Sequence, residues 1–298
     1  MFDRFVEKLN LAATPDRVWP ALARMALFCV LTGVLVAALL FPIVGGLGAA
    51  SNRASESVTQ GSANIVDGDV PAVSTMVDVT GAPIAWLYVQ RRFEVPSDRI
   101  ADTMKLAIVS IEDKRFAAHN GVDLQGTLTG LAGFLKGAGD ARGGSTIEQQ
   151  YIKNFNLLVN AETDEERQAA VETTPIRKLR EIRTALALDT ALSKPEILTR
   201  YLNLVPFGNG AYGIQDAART YFGVDAIALN WQQSAMLAGL VQSTSALNPY
   251  TNPQGALDRR NLVLDTMIQN LPEHAGELRA ARETPLGILP QPNSIAQG

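Results

Sequence analysis

The spacing of apolar positions changes several times along this 298-residue chain, and the longest apolar run lies near its N-terminus. From Met25 to Ala50 no charged residue occurs. At a rise of ~1.5 Å per residue, such a run can cross a hydrocarbon core of ~30 Å. The pattern therefore predicts one transmembrane helix over residues 25–50. Residues 51–75 are polar, small and weakly periodic, which is typical of a linker.

Basic residues flank this apolar run unequally. Those that precede it are Arg4, Lys8, Arg17 and Arg24. On the other side Arg53 is alone until Arg91, so the positive-inside rule places residues 1–24 in the cytoplasm and the rest of the chain outside. A cleaved signal peptide is the alternative, because the small residues near Ala49 resemble a cleavage site, but the run is longer than the apolar part of a usual signal.

Beyond the linker, a short β element precedes a mostly helical region. Residues that favour strands, β-branched and aromatic, lie on both sides of Thr80-Gly81-Ala82-Pro83 and predict a hairpin. After Pro96 the spacing becomes helical, and the Asn120-Gly121 pair is a stop signal. The predicted apolar face of this first helix consists of Met104, Ala107, Ile108 and Ile111.

Further helices follow from capping residues and periodicity. Thr174 and Pro175 fit the N-cap and first position of one helix, and Ser193 with Glu196 fits a capping box at the start of the next. Their predicted apolar faces are Ile176, Leu179, Ile182 and Leu186 in the first, and Ile197, Leu198, Tyr201 and Leu202 in the second. A last long helix closes a mainly α domain over residues 76–271. Residues 272–298 are predicted to form a proline-rich tail or the start of an inter-domain linker.

The composition excludes several classes of protein. Apolar residues make up 47% of the chain, which is enough to bury a core. A net charge of −4, from 26 basic and 30 acidic residues, argues against a nucleic-acid partner because nucleic-acid-binding proteins are usually basic. The single cysteine, Cys29, excludes an internal disulfide framework and a Cys-rich zinc site.

The first helix carries charge at the margin of its apolar face. Helical spacing puts Glu112 one turn from Ile108 and from Phe116, with Arg115 and His119 on the same flank. A carboxylate that is partly removed from water binds a proton more tightly, as a general base requires. Taken alone, the same pattern fits a structural ion pair between Glu112 and an arginine one turn away.

Two further segments carry polar chemistry. The stretch RGGSTIEQQYIKN, residues 142–154, puts a Gly-Gly turn before two hydroxyls at a helix start. Backbone N–H groups at such a turn can bind phosphate, although an ordinary N-cap is the alternative. Farther along, Arg177 and Lys178 precede Glu181 by about one helical turn and share a face with it. By itself, that pattern fits a solvated ion-pair face.

Five segments in this order resemble the motifs of the peptidoglycan glycosyltransferase domain, the family 51 glycosyltransferase of class A penicillin-binding proteins and monofunctional transglycosylases. They are EDKRFAAHNGVD, RGGSTIEQQYIKN, RKLRE, KPEILTRYLNLVPFGNGAYGIQDAARTYFG and MLAGLVQSTSALNP. The resemblance covers about Asp78 to Met267. It implies a mainly α, lysozyme-like fold with a membrane-touching jaw, for which the glycine-rich stretch between the first two motifs is the candidate.

The resemblance also assigns roles to individual residues. Glu112 matches the catalytic base that deprotonates the 4-hydroxyl of the acceptor N-acetylglucosamine, and Glu181 matches a second catalytic carboxylate near the donor diphosphate. The matches to substrate-binding residues are Ser145, Thr146, Gln149, Gln150, Lys153, Arg177, Lys178 and Asn203. The matches to residues of structural support are Asp113, Arg115, Phe116, His119, Gly121, Gly143, Gly144 and Gly208.

The implied reaction polymerises lipid II into β-1,4 glycan strands, with inversion at the anomeric carbon and release of undecaprenyl diphosphate. Because a lipid diphosphate is already a good leaving group, the site needs cations more than a strong acid. The resemblance implies no tightly bound cofactor, allows a divalent cation (Mg²⁺ or Mn²⁺) at the donor diphosphate, and leaves the metal ligands unassigned. The implied partners are lipid II, the nascent glycan strand, the bacterial cytoplasmic membrane and other cell-wall synthesis or division proteins.

Some positions depart from the family pattern. Glu148 stands where the family most often has Thr, Thr199 stands where Glu is common, and the acidic segment 161–172 lengthens the region before the third motif. Both matched carboxylates are present, which favours a polymerising enzyme over an inactive cell-wall scaffold. A lysozyme-like lytic transglycosylase or muramidase is the other alternative, but such an enzyme needs no cationic diphosphate site.

Class A penicillin-binding proteins also carry a transpeptidase domain with serine, lysine and K-T-G signatures. Neither S-x-x-K nor K-T-G occurs in this sequence. A monofunctional enzyme and the N-terminal part of a bifunctional penicillin-binding protein therefore both fit, and the proline-rich tail favours the second.

Overall fold

The computed structural model describes residues 25–33, 65–66, 70–126, 144–172 and 174–290. The chain divides into two compact units, Met1–Ser57 and Val58–Gly298. In the first unit, residues 25–33 are helical. Among the described residues, no helix is both long enough and apolar enough to cross a membrane. Because residues 1–24, residues 34–50 and most of the linker lie outside the described ranges, the transmembrane helix stays a prediction.

The second unit begins with the predicted hairpin. Strand β1 (Ser74–Val77) pairs antiparallel with strand β2 (Pro83–Leu87). The Asp78 carboxylate holds the turn, since it accepts hydrogen bonds from the backbone N–H groups of Thr80 at 2.8 Å and Ala82 at 2.9 Å. The hairpin prediction is therefore confirmed.

A second small sheet ties the start of the domain to its middle. Strand β3 (Arg91–Arg92) runs parallel to β5 (Ala211–Tyr212), which also pairs antiparallel with β4 (Pro206–Gly208). The Arg92 side chain is fully buried and donates to the backbone carbonyl of Leu204 at 3.2 Å. Hydrogen bonds of this kind offset the cost of burying a charge.

Helices form most of the rest of the unit. In chain order the α-helices are α1 (Asp102–Glu112), α2 (Ile147–Phe155), α3 (Asp164–Val171), α4 (Pro175–Ala191), α5 (Lys194–Leu204), α6 (Ile214–Phe222), α7 (Trp231–Leu240), α8 (Pro253–Asn270) and α9 (Ala275–Arg282). The short helical turns are Ser97–Arg99, Phe116–Ala118, Asn156–Asn160, Ala226–Ala228 and Pro272–His274. The described structure is therefore mainly α with a small N-terminal β element, as predicted, and it also contains a second small sheet that was not predicted.

Helix α7 lies at the centre of the core. Its residues from Ser234 to Leu240 are all buried, and α1 and α8 pack against it. Because residues 235–240 of this helix include no polar side chain, this part is stable only when neighbours surround it. Helices α2, α4 and α5 pack together as a second group. Residues from both groups line the cleft described below.

Helix α1 buries its predicted face but ends early. Three residues of the face, Met104, Ala107 and Ile108, are fully buried, and Ile111 is half-buried. The helix ends at Glu112, short of the expected stop at Asn120-Gly121, because Asp113 leaves the helical conformation with a ψ of 72°. The Asp113 carboxylate then accepts a hydrogen bond from the backbone N–H of Ile147 at 3.1 Å. The predicted placement of Arg115, Phe116 and His119 on the same helix as Glu112 is therefore wrong.

Helix α4 begins where predicted but turns a different face inward. Thr174 is its N-cap, and the Thr174 hydroxyl accepts from the backbone N–H of Arg177 at 3.2 Å. The expected apolar face is wrong, because Ile176, Leu179 and Leu186 are 74%, 52% and 46% exposed. The buried residues are instead Glu181, Thr184, Ala185 and Leu188. Small or polar residues thus make up most of the buried face, and the backbone of Ala185 lies close to Gly121.

Helix α5 follows its predicted pattern except at the start. Ser193 occupies the N-cap position, but its side chain makes no capping hydrogen bond. Glu196 instead pairs with Arg200 at 3.0 Å, so the predicted capping box is wrong. The predicted apolar face is buried as expected, and it consists of Ile197, Leu198, Tyr201 and Leu202.

Folded structure continues past residue 271. Helix α9 packs against α8 and buries Leu278. The buried Arg260 of α8 donates to the backbone carbonyls of Arg282 at 3.0 Å and Thr284 at 2.7 Å. The segment interpreted from the sequence as a tail therefore begins with a helix of the domain. An 8-residue helix is too short to show clear periodicity.

Candidate active site

A cleft of about 560 Å³ opens between the end of α1, the first turns of α2 and α4, and the middle of α8. Most of its lining is polar, although aliphatic side chains contribute from α1 and α8. The lining residues are Ile111, Glu112, Gly144, Ser145, Gln149, Gln150, Lys153, Arg177, Lys178, Glu181, Val241, Gln242, Arg259, Leu262 and Thr266. The structure thus brings both predicted catalytic carboxylates into one cleft.

Glu112 is the last residue of α1, and its side chain is only 16% exposed. One carboxylate oxygen accepts from Gln150 Nε2 at 2.8 Å, and the other lies 4.0 Å from the Arg259 guanidinium. Burial raises the pKa of Glu112, while Gln150, Arg259 and Lys153 partly oppose that rise. A carboxylate with a raised pKa that still faces the cleft suits a general base.

Asp113 fixes the place where α1 ends. Besides the bond from Ile147, its carboxylate accepts from His119 Nε2 at 2.9 Å. Since Ile147 is the first residue of α2, this carboxylate couples the end of α1 to the start of α2. Both Asp113 and His119 are buried and lie outside the residues that line the cleft. Their contacts agree with the predicted supporting role.

Two other predicted supporting residues, Arg115 and Phe116, follow α1 and contact residues other than Glu112. Arg115 forms an ion pair with Asp123 and a hydrogen bond with Gln125. Phe116 is buried, and the Lys194 ammonium lies 4.6 Å from the centre of its ring. The structural ion pair considered for Glu112 is therefore not made by Arg115, and the guanidinium that does approach Glu112 belongs to Arg259.

Helix α2 begins with a complete capping box. The Thr146 hydroxyl accepts from the backbone N–H of Gln149, and the Gln149 side chain accepts from the backbone N–H of Thr146, both at 3.3 Å. The same hydroxyl donates to the carbonyl of Gly121 at 2.7 Å. Thr146 is buried, so its predicted contact with substrate has no support from its position. Its hydroxyl instead anchors the helix that presents Gln150 and Lys153.

Basic residues surround Glu181 in the same cleft. The Lys178 ammonium donates to Ser145 Oγ and to Gln149 Oε1, both at 2.9 Å, and lies 3.6 Å from the Glu181 carboxylate. Arg177 forms an ion pair with the same carboxylate. Burial, together with the charges of Arg177 and Lys153, lowers the pKa of Lys178, whereas Glu181 opposes that change. One carboxylate thus orients basic groups that could bind a diphosphate.

A divalent cation fits this cluster poorly. Mg²⁺ usually binds one or two carboxylates together with phosphate oxygens. Among the described residues near the Lys178 ammonium, Glu181 offers a carboxylate, but Arg177 and Lys178 already bind it. We therefore derive no step of the reaction through a metal ion.

A second charged cluster lies buried beside the cleft. Glu148 is fully buried and accepts from the Lys194 ammonium at 2.5 Å, while the same ammonium lies 2.6 Å from Asp189. Potential ligand atoms of Asp113, His119 and Glu148 lie within 4.8 Å of one another. Lys194 already supplies positive charge at this position. The carboxylate of Glu148, which stands where the family most often has Thr, therefore has a side-chain partner.

Replacing Lys194 by Met should destabilise the domain in a pH-dependent way. The change leaves Glu148 and Asp189 without their cation, and removing one partner of a largely buried pair costs about 2 kcal/mol when the lost group is partly exposed. Burial raises the pKa of Glu148, so this carboxylate can take up a proton as the pH falls. The loss of stability in Lys194→Met should therefore be larger at about pH 8 than at about pH 5.

Thermal unfolding followed by circular dichroism at both pH values measures this effect. Lys105→Met is the matched control, because Lys105 pairs at 3.0 Å with Asp102, whose side chain is 87% exposed. Surface pairs of that kind contribute about 0.5 kcal/mol or less. Equal melting temperatures for wild type and Lys194→Met would contradict the structural role of Lys194.

The remaining predicted residues are Asn203, Gly208, Gly144 and Gly143. Asn203 lies outside the residues that line the cleft, and its side chain accepts from the backbone N–H of Val95 at 3.2 Å and donates to the Val95 carbonyl at 2.8 Å. These bonds do not support its predicted contact with substrate. Gly208 has a φ of +86° in β4, and Gly144 lines the cleft. Gly143 lies outside the described residues.

Sequence reasoning missed Arg259 and Gln242, which both line the cleft. Arg259 comes from α8, a helix to which no functional residue was assigned. The available signal was the pair Arg259-Arg260 shortly before the buried Val263 and Leu264. Arginines beside the buried face of a helix require partners. The sequence alone does not show that one of these partners is Glu112.

Comparison with known proteins identifies relatives over the same region. The family model described as Transglycosylase matches residues 80–268. Penicillin-binding protein 1A/1B of Bacillus subtilis is 41% identical over 201 residues, which cover 66% of this chain and 20% of that protein. A putative transglycosylase of Cupriavidus necator is 37% identical over 195 residues, which cover 65% of this chain and 78% of that protein.

The penicillin-binding relatives are much longer than the matched region. Penicillin-binding protein 1A of Streptococcus pneumoniae is 38% identical over 215 residues, which cover 72% of this chain and 28% of that protein. The chain thus spans about a fifth to three tenths of these relatives. Residues 80–268, which the family model matches, contain every residue that lines the cleft.

Proposed function

The chain belongs to the transglycosylase family, and from that premise we propose that it is a membrane-anchored peptidoglycan glycosyltransferase that polymerises lipid II. The observation that carries this proposal is the composition of the cleft. It combines a largely buried carboxylate, Glu112, with three basic side chains, Lys153, Arg177 and Lys178. A base for a sugar hydroxyl and cations for a diphosphate are the two requirements of glycosyl transfer from a lipid diphosphate.

In the proposed reaction, Glu112 takes the proton of the 4-hydroxyl of the acceptor N-acetylglucosamine. The oxygen then attacks the anomeric carbon of the donor, and the bond between that carbon and the diphosphate oxygen breaks with inversion. The electron pair leaves with undecaprenyl diphosphate, whose charge Lys153, Arg177 and Lys178 would stabilise. Glu112 returns its proton to solvent before the next cycle.

The contacts within the cleft support separate roles for the two carboxylates. Glu112 makes its hydrogen bond with a neutral amide and keeps a raised pKa. Glu181 is bound by Arg177 and lies near Lys178, so its charge is already neutralised by cations. We therefore assign proton transfer to Glu112 and the orientation of cations to Glu181.

The proposed location follows from the N-terminal sequence. The apolar run over residues 25–50, with basic residues before it, supports a single anchor in the bacterial cytoplasmic membrane, with the catalytic domain outside. A lipid-linked substrate diffuses in the same membrane, so an anchor would keep the enzyme beside it. We further propose a lysozyme-like arrangement of the helices and association with other cell-wall synthesis or division proteins.

Incubation of the full chain with labelled lipid II in detergent micelles tests this proposal. We expect a ladder of glycan products on a gel, sensitive to a muramidase that cleaves β-1,4 bonds. A parallel reaction contains preformed glycan strands instead of lipid II. Shortening of those strands without any polymer from lipid II would favour a lytic enzyme and contradict the proposal.

A further inference from the structure

A buried tyrosine hydroxyl lies behind the candidate base. Tyr201 of α5 is fully buried, and its hydroxyl donates to Gln150 Oε1 at 3.0 Å. The other end of the same amide, Gln150 Nε2, donates to the Glu112 carboxylate at 2.8 Å. A chain of two hydrogen bonds therefore leads from the core to the base.

The orientation of the Gln150 amide determines whether its nitrogen or its oxygen faces the Glu112 carboxylate. Its nitrogen can donate to a carboxylate, whereas its oxygen can only accept and would repel an ionised one. A hydroxyl donor on the core side satisfies the oxygen and leaves the nitrogen facing the cleft. Burial and the charge of Glu112 hold the pKa of Tyr201 well above its usual value, so the hydroxyl keeps the proton that it donates.

We infer that Tyr201 is a positioning residue, whose hydroxyl holds the Gln150 amide in the orientation that donates to Glu112. This inference rests on the proposed function, in which Glu112 is the base. Tyr201 itself does not line the cleft, so it acts through Gln150. The hydroxyl thereby gives Glu112 a donor that stabilises its ionised form.

Other charged groups also face Glu112, and they stay unchanged when the tyrosine hydroxyl is removed. They are Asp113 next to it in the chain, Lys153 from α2 and Arg259 from α8. Without the hydroxyl, Gln150 Oε1 would lose its buried donor, and the amide would turn to find another. The loss of an aligned donor raises the pKa of a carboxylate, so the pKa of Glu112 should rise further.

Tyr201→Phe tests the inference because it removes only the hydroxyl. We expect the acid limb of the kcat/KM profile for lipid II polymerisation to move up by about one pH unit, which is a ~10-fold loss of activity below the limb. Tyr221→Phe is the matched control. Tyr221 is also fully buried, but its hydroxyl donates to the Phe207 carbonyl at 2.8 Å, away from Glu112. The acid limb of the kcat/KM profile of Tyr221→Phe should not move.

A double-mutant cycle separates positioning from packing. If Tyr201 acts through Gln150, Gln150→Met should raise the pKa of Glu112 by itself, and Tyr201→Phe should add no further shift in that background. Additive shifts in the two variants would overturn the inference. Gln150→Met also tests the inference if Tyr201→Phe fails to fold, because an unchanged acid limb would show that the amide does not act on Glu112.

A direct titration distinguishes failure of this inference from failure of the proposed function. Carbon-13 NMR of the Glu112 carboxyl, identified by its loss in Glu112→Gln, reports the pKa without any substrate. A higher midpoint in Tyr201→Phe than in wild type supports positioning even if no glycan is made. An unchanged midpoint in the folded variant would overturn it, whatever the wild-type activity.

Discussion

Glu112→Gln should abolish polymerisation of lipid II while the domain remains folded. The amide keeps the size of the side chain and can still bond with Gln150, but it cannot take the proton of a sugar hydroxyl. Loss of a general base costs about 10²–10⁴-fold in rate. Initial rates of glycan formation, measured with fluorescent lipid II, provide the comparison with wild type. Glu165→Gln, on the exposed face of α3, is the matched control and should keep wild-type activity.

The same variant should be at least as stable as wild type at neutral pH. Burial raises the pKa of Glu112, so the folded state holds the proton more tightly than the unfolded state does. Stability from this group is therefore present below its unfolded pKa and is lost as the pH rises through its folded pKa. Glutamine has no charge, so the variant does not pay the cost of burying an ionised carboxylate at neutral pH. A rate close to wild type in the folded variant would contradict the role of Glu112 as the base.

Gly121→Ala should lower the free energy of unfolding by about 3–5 kcal/mol. Gly121 has a φ of +80°, and a Cβ atom there would lie 2.4 Å from the carbonyl oxygen of Ala185 in α4. Strain at a positive φ and a clash of the new Cβ atom with the backbone of Ala185 therefore add up. Since the Gly121 carbonyl also accepts a hydrogen bond from Thr146, a displacement of the backbone at residue 121 would also disturb the start of α2. Thermal unfolding and polymerisation should both be impaired.

Gly81→Ala is the matched control for Gly121→Ala. Gly81 lies in the hairpin turn with a φ of +86°, but a Cβ atom there would have no neighbour within 4 Å. Its cost should be the conformational strain alone, about 1–2 kcal/mol. Equal melting temperatures for the two variants would show that the close approach of α4 to Gly121 contributes nothing to stability.

The sequence predicted the elements that have strong local signals. The hairpin follows from a turn that Asp78 and Gly81 stabilise, and α1 and α5 follow from runs of apolar residues with helical spacing. The residues of the site were predicted through the resemblance to family motifs, because local chemistry by itself left Glu112 open to a structural ion pair. The structure brings Glu112, Glu181 and the basic residues into one cleft, but their roles stay predictions.

Errors arose where tertiary contacts override the local pattern. Helix α4 turns Ala185 and Thr184 inward and exposes larger residues such as Ile176 and Leu179. The backbone of Ala185 lies so close to Gly121 that a Cβ atom at Gly121 would be 2.4 Å from the Ala185 carbonyl oxygen. Helix α1 ends at Glu112 because Asp113 bonds to the distant Ile147. The periodicity of a sequence contains no information about partners so far away in the chain.

The roles of Asn203 and Thr146 show the limit of transferring motif residues. Both belong to matched segments, yet their polar atoms bond to the backbone of Val95, Gly121 and Gln149. A motif therefore includes residues that build the site as well as residues that line it. Arg259 shows the converse, since it lines the cleft without a matched role.

The proposed function requires that this cleft transfer glycosyl groups from a lipid diphosphate. Undecaprenyl diphosphate release and glycosidic bonds can both be measured in one reaction of the full chain with lipid II. We expect one diphosphate released for each new β-1,4 bond, with both products absent in Glu112→Gln. Glycan formed without matching diphosphate, or equal release by Glu112→Gln, would contradict glycosyl transfer by this cleft.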